Sequence, residues 1–122
     1  HGFNQVEITM GMHCGATRLD LHTPWVDWTM ASLQASAGQP ATLLPNLAGS
    51  LPNDIFADQL GLPTLWVPHS YPACSQHAPN EHLLAPVARE GLAVMARLFL
   101  DLGEPQGTPW TEGRTARHEA TA

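Results

Sequence analysis

The sequence predicts an α/β fold, a layered sheet with largely parallel strands. Three observations lead there. Stretches at 3–9, 41–44 and 63–67 are apolar or alternating and of strand length. Stretches at 24–37, 54–60 and 86–102 carry helical spacing or helix punctuation. The two kinds alternate along the chain, as strands joined by crossover helices do.

The first strand rests on Val6 and Ile8 set against Gln5, Glu7 and Thr9, and Gly11 and Gly15 end it. Thr23-Pro24 then opens a helix: threonine is a good cap, and proline suits the first helical position. Val26, Met30, Leu33 and Ala37 form its apolar stripe, Trp25 and Trp28 add packing surface, and Gly38 stops it. Ala41 to Leu44 reads as a short strand, followed by the turn-rich "PNLAGSLPND". A short helix from Asp54 to Leu60 has Asn53 as its cap and Gly61 as its end. "PTLWV", bounded by prolines, reads as a buried strand. Pro86 opens the last helix. Its buried stripe is Leu84, Ala88, Gly91, Met95, Leu98 and Leu102, with Glu90, Arg97 and Asp101 on the opposite face. Residues 104–122 have no apolar period and are expected to be a disordered tail.

The 122 residues suffice for one compact domain, and 43% hydrophobic content permits a core. The net charge is -6, and all five basic residues are arginines. That balance argues against a nucleic-acid partner. No apolar run reaches the roughly 18–20 residues that span a bilayer, and the first ten residues do not resemble a signal peptide. Cys14 and Cys74 are expected to be reduced thiols. The opening "HGF", with no initiator methionine, reads as part of a longer protein.

Chemistry-bearing residues concentrate in "HSYPACSQHAPNEHLL", residues 69–84, which holds three histidines, a cysteine, an asparagine and a glutamate. The segment follows a predicted strand, and in α/β sheets ligands bind beyond the carboxyl ends of strands. His77 is the best single candidate for a metal ligand, because a ligating imidazole needs its second nitrogen oriented, and Glu81 is near enough in sequence to do it. His69 and His82 read as surface residues. The second candidate is "GSLPND", where Gly49 permits close backbone approach and Ser50 brings a hydroxyl and an amide. A Ser50, Asp54 and His77 triad is conceivable, but "AGSLP" is not the nucleophile elbow of serine hydrolases. Spacing alone gives one plausible ligand and no complete metal site.

Gly49-Ser50-Leu51-Pro52 ahead of a helix and an apolar strand, then His77-Ala78-Pro79-Asn80-Glu81 ahead of a long helix, resembles the C-terminal end of the dinuclear zinc amidohydrolases and peptidases of metallopeptidase family M-twenty. That family includes acetylornithine deacetylase, succinyl-diaminopimelate desuccinylase, aminoacylase and carnosinase. The resemblance covers about residues 16–103 and implies a partial three-layer α/β sandwich of a zinc-peptidase-like catalytic domain, preceded by the last strand of an α+β lid. Residues 1–16 would end the lid and dimerisation domain, and 17–103 would be the returning part of the catalytic domain. It makes His77 a metal ligand, lines the substrate pocket with Gly49, Ser50 and Asn80, and puts Glu81 behind the ligand. It further implies two zinc ions per complete site, with cobalt or manganese as substitutes. The substrates would be N-acyl amino acids or small peptides, in a cytoplasmic enzyme that dimerises through its lid.

The chain departs from the pattern in lacking the family's early His-x-Asp, bridging aspartate and paired glutamates, one of them the general base. Alone it is therefore expected to be inactive, with no catalytic residue of its own. Ala48 also stands where many relatives have glycine. The rival reading is a degenerate relative that acts as a binding or dimerisation module.

Overall fold

The computed structural model describes residues 5–11, 13–47, 49, 51–104 and 108–109. The chain divides into two compact units, one formed by His1–Leu19 with Asn46–Thr64, the other by Asp20–Pro45 with Leu65–Ala122.

The second unit holds both long helices. Helix α1 spans Pro24–Ala37 and helix α2 spans Ala85–Gly103. Proline lies in the first turn of each, where a missing amide hydrogen costs nothing. Thr23 precedes α1 in an extended conformation, but its side chain makes no capping bond. Its carbonyl accepts from the Val26 amide instead. Gly38 closes α1 in the left-handed region, φ 65°, and its amide donates to the Gln34 carbonyl.

The two helices pack on each other. Val26 is buried from α1, with Thr29 and Ser32 beside it, and Gly91 is the buried residue of α2. Gly91 is needed there because the His69 ring lies on the helix: a Cβ at this position would stand 2.7 Å from His69 Nδ1. Ala88, Met95 and Leu98 of the expected stripe are half-buried, whereas Leu84 and Leu102 are exposed. Asp101 does not lie on a solvent face as its spacing suggested. It accepts a hydrogen bond from Ser32 of α1. Trp25 and Trp28 meet edge to face, ring centroids 5.8 Å apart.

In the first unit, the short helix expected over 54–60 is one turn of π-helix, Ile55–Gln59. Asn53 does not cap it. The Asn53 amide nitrogen donates to the hydroxyls of Thr17 and Thr64, at 2.6 and 2.8 Å. Asp54 Oδ2 accepts from the Gly15 amide at 3.1 Å. Two adjacent polar side chains thus tie the turn to the 15–17 segment.

The expected α/β sandwich is overturned, because no strand occurs among the described residues. A strand satisfies its amides and carbonyls on a neighbour, and none of the three candidate segments finds one. Val6 and Ile8 are exposed, so their alternation reflects no buried face. Residues 41–44 leave Leu43 and Leu44 in solvent, and 63–67 is half-buried, with Trp66 exposed, and unpaired. Residues 3 and 4 of the first candidate, and most of the expected tail, lie outside the described residues.

Candidate functional site

The histidine-rich segment is a closed loop within the second unit. Pro72–Cys74 forms a turn of 3-10 helix, and its amide from Cys74 returns to the Tyr71 carbonyl. Two turns follow. The Ala78 amide donates to the Ser75 carbonyl at 2.9 Å, and the Glu81 amide to the Ala78 carbonyl at 3.3 Å. The His82 amide then donates to the Cys74 carbonyl at 3.0 Å and closes the loop.

Each turn has a positive φ at its third residue, His77 at 62° and Asn80 at 64°. This is the type II pattern, which usually takes glycine or asparagine there. Pro79 sets the preceding position of the second turn, so Ala78-Pro79-Asn80-Glu81 is locally encoded. The first turn has no such support. His77 and Ser75, φ 57°, hold left-handed backbone at about 1 kcal/mol each. Strain of that kind concentrates at sites of function.

Side chains complete the loop. Glu81 Oε2 accepts from the His77 backbone amide at 3.3 Å, not from the His77 ring. The ring that is oriented belongs to His82, whose Nδ1 donates to the Asn80 carbonyl at 2.8 Å. Tyr71 packs edge to face on the His82 ring, centroids 6.1 Å apart. Its hydroxyl is buried without a hydrogen-bond partner among the described residues. Cys74 is buried beneath the loop, and both cysteines are free thiols.

His77, Asn80 and Glu81 are thus brought together in one loop, all exposed. Gly49 is exposed and belongs to the other unit, and Ser50, like Ala48, lies outside the described residues. His69 is half-buried and lines an open groove of about 260 Å³ with Leu33, Val67, Val87, Glu90 and Val94. Asp54 is engaged with Gly15. His82, read from the sequence as a surface residue, is exposed, and its ring is held on the Asn80 carbonyl.

Among the described residues, no three His, Cys, Asp or Glu side chains lie close enough together to hold a metal ion. The loop's chemistry fits a single ligand position, an imidazole with its far nitrogen on a carbonyl. It does not make a whole site. No helix among the described residues is long and apolar enough to cross a membrane.

No family model, no curated protein and no solved structure matches the chain.

Proposed function

We propose that this chain is the C-terminal part of a metal-dependent hydrolase of amide bonds, acting on N-acyl amino acids or small peptides, and that the 74–82 loop supplies one imidazole to a zinc ion. The resemblance to the M-twenty enzymes gives that role to His77, with Asn80 and the Gly49-Ser50 turn against the substrate and Glu81 in support. The observation that carries the reading is the loop's construction: a closed chain reversal with left-handed backbone at His77 and Asn80, presenting two imidazoles to solvent. The remaining ligands and the base would come from preceding sequence, and the complete enzyme would be a cytoplasmic homodimer.

The test is to express the chain together with the sequence that precedes it in its gene, and to assay N-acetyl amino acids and dipeptides. Turnover that a chelator abolishes and zinc, cobalt or manganese restores is expected, while residues 1–122 alone stay inactive. Absence of turnover, or turnover indifferent to the chelator, refutes the proposal.

A second reading, a binding or dimerisation module, draws on the outer side of α2. Leu92, Phe99 and Leu100 are exposed there at 74%, 68% and 67%. Large apolar side chains left in solvent favour association. Concentration-dependent dimerisation in sedimentation, lost in Leu92→Glu and Phe99→Glu, supports it. A monomer at all concentrations excludes it.

A further inference from the structure

We infer that Leu65 to Ser70 is a docking edge for an extended, basic polypeptide segment, which pairs as an added strand with the main chain of Leu65, Val67 and His69. From Leu65 to Ser70 the chain has no helix, turn or bend, and its burial alternates residue by residue. Leu65, Val67 and His69 are half-buried, whereas Trp66, Pro68 and Ser70 are exposed. That is the period of a strand with one face on a packed layer. His69 shows the contact, its ring lying against Gly91 of α2. Among the described residues, no amide or carbonyl of this stretch makes a hydrogen bond.

The two edges of the stretch are not equivalent. In extended chain the N–H and C=O of one residue point to the same side, and those of its neighbour to the other. One edge therefore carries the groups of Leu65, Val67 and His69, complete in donors and acceptors. The other carries those of Trp66, Pro68 and Ser70, where Pro68 has no donor to give. Unpaired groups at strand spacing are a template for another extended chain, which bonds to them along their length.

The surroundings set the chemistry of the partner. Val67 and His69 line the groove of about 260 Å³, and all of its described lining belongs to the second unit. Leu33 of α1 and Val87 and Val94 of α2 line it too, so the side chains that an added strand turns toward the helices are aliphatic. The described lining has one carboxylate, Glu90, and no lysine or arginine. With a net charge of -6 on the whole chain, an acidic segment or a second copy is repelled, and a segment carrying lysine or arginine is favoured.

The probe is a synthetic peptide of about six residues, a common strand length, alternating valine and threonine, with a terminal lysine and blocked ends. Amide hydrogen exchange of the 122-residue chain is read by NMR with and without it. In the free chain the amides of Leu65, Val67 and His69 should exchange as unprotected groups. Saturating peptide should slow these three about tenfold or more and leave Trp66 and Ser70 unchanged. N-methylating alternate residues of the peptide removes the donors of one of its edges. Of the two alternating patterns, one should abolish binding and the other should keep it. Glu90→Gln should weaken binding about threefold, the scale of an exposed charge pair. The exchange pattern is read on the unaltered chain, so a misfolded variant does not void the test. Absence of binding overturns the inference. So does binding that protects Trp66 and Ser70 instead, or that tolerates both methylation patterns, which is apolar docking without strand pairing. Protection that rises with chain concentration in the absence of peptide makes a second copy the occupant and overturns the basic partner, as does undiminished affinity in Glu90→Gln.

Discussion

The Ser32 hydroxyl donates to Asp101 Oδ2 across 2.6 Å, joining α1 to α2 between residues 69 apart in sequence. The other carboxylate oxygen, Oδ1, takes Arg97 Nε, also at 2.6 Å. Asp101 is 17% exposed and Arg97 60%, so the two partners of one carboxylate sit in different surroundings. Solvent screens the arginine, and the hydroxyl lies at the helix interface. Ser32→Ala is expected to cost about 1–2 kcal/mol, as for a partly buried hydrogen bond to a charged group. Arg97→Gln should cost about 0.5 kcal/mol or less. Denaturant unfolding of both variants checks this, and a larger loss for Arg97→Gln would contradict it.

Gly91 should tolerate no side chain. Its Cβ would meet His69 Nδ1 at 2.7 Å and Cγ at 2.9 Å, so the ring must leave α2. Gly91→Ala gains helix propensity but overpacks the contact, for a net loss of about 1–2 kcal/mol. The double variant with His69→Ala should recover most of it. A stabilised Gly91→Ala single variant would mean that the ring does not lie on the helix.

The two loop turns should respond differently to substitution. At Asn80 a β-branched residue cannot adopt the left-handed backbone without strain, so Asn80→Val is expected to lose about 1–2 kcal/mol, and Asn80→Gly almost nothing. His77→Gly should be neutral or slightly stabilising, because it relieves strain that Pro79 does not support. Equal destabilisation by all three changes would show that side-chain contacts, not backbone conformation, hold the loop.

Tyr71→Phe keeps the ring against His82 and removes a buried hydroxyl that has no partner among the described residues. Removing an unsatisfied group is neutral or stabilising, by up to about 1 kcal/mol. Thermal melting of the variant beside the parent chain reads the effect. Marked destabilisation would reveal a partner for the hydroxyl.

By itself, the sequence determined what each residue settles with its near neighbours. Proline in the first turn, Gly38 at a left-handed stop and apolar spacing set both long helices, because helical hydrogen bonds close within four residues. The Pro79-Asn80 turn, which the sequence analysis did not name, is set by the same short-range logic. The strands were not, since a strand is stabilised by a partner that its own residues do not name, and Val6, Ile8 and Leu44 alternate or cluster without finding one. Within the loop, composition marked His77 and Glu81, but only the chain reversal decided which atoms they use. Closing His82 onto the Cys74 carbonyl put the Asn80 carbonyl on the His82 ring and the Glu81 carboxylate on the His77 amide. Asp101 follows the same logic: its position on α2 suggested solvent, and the packing of α1 supplied Ser32.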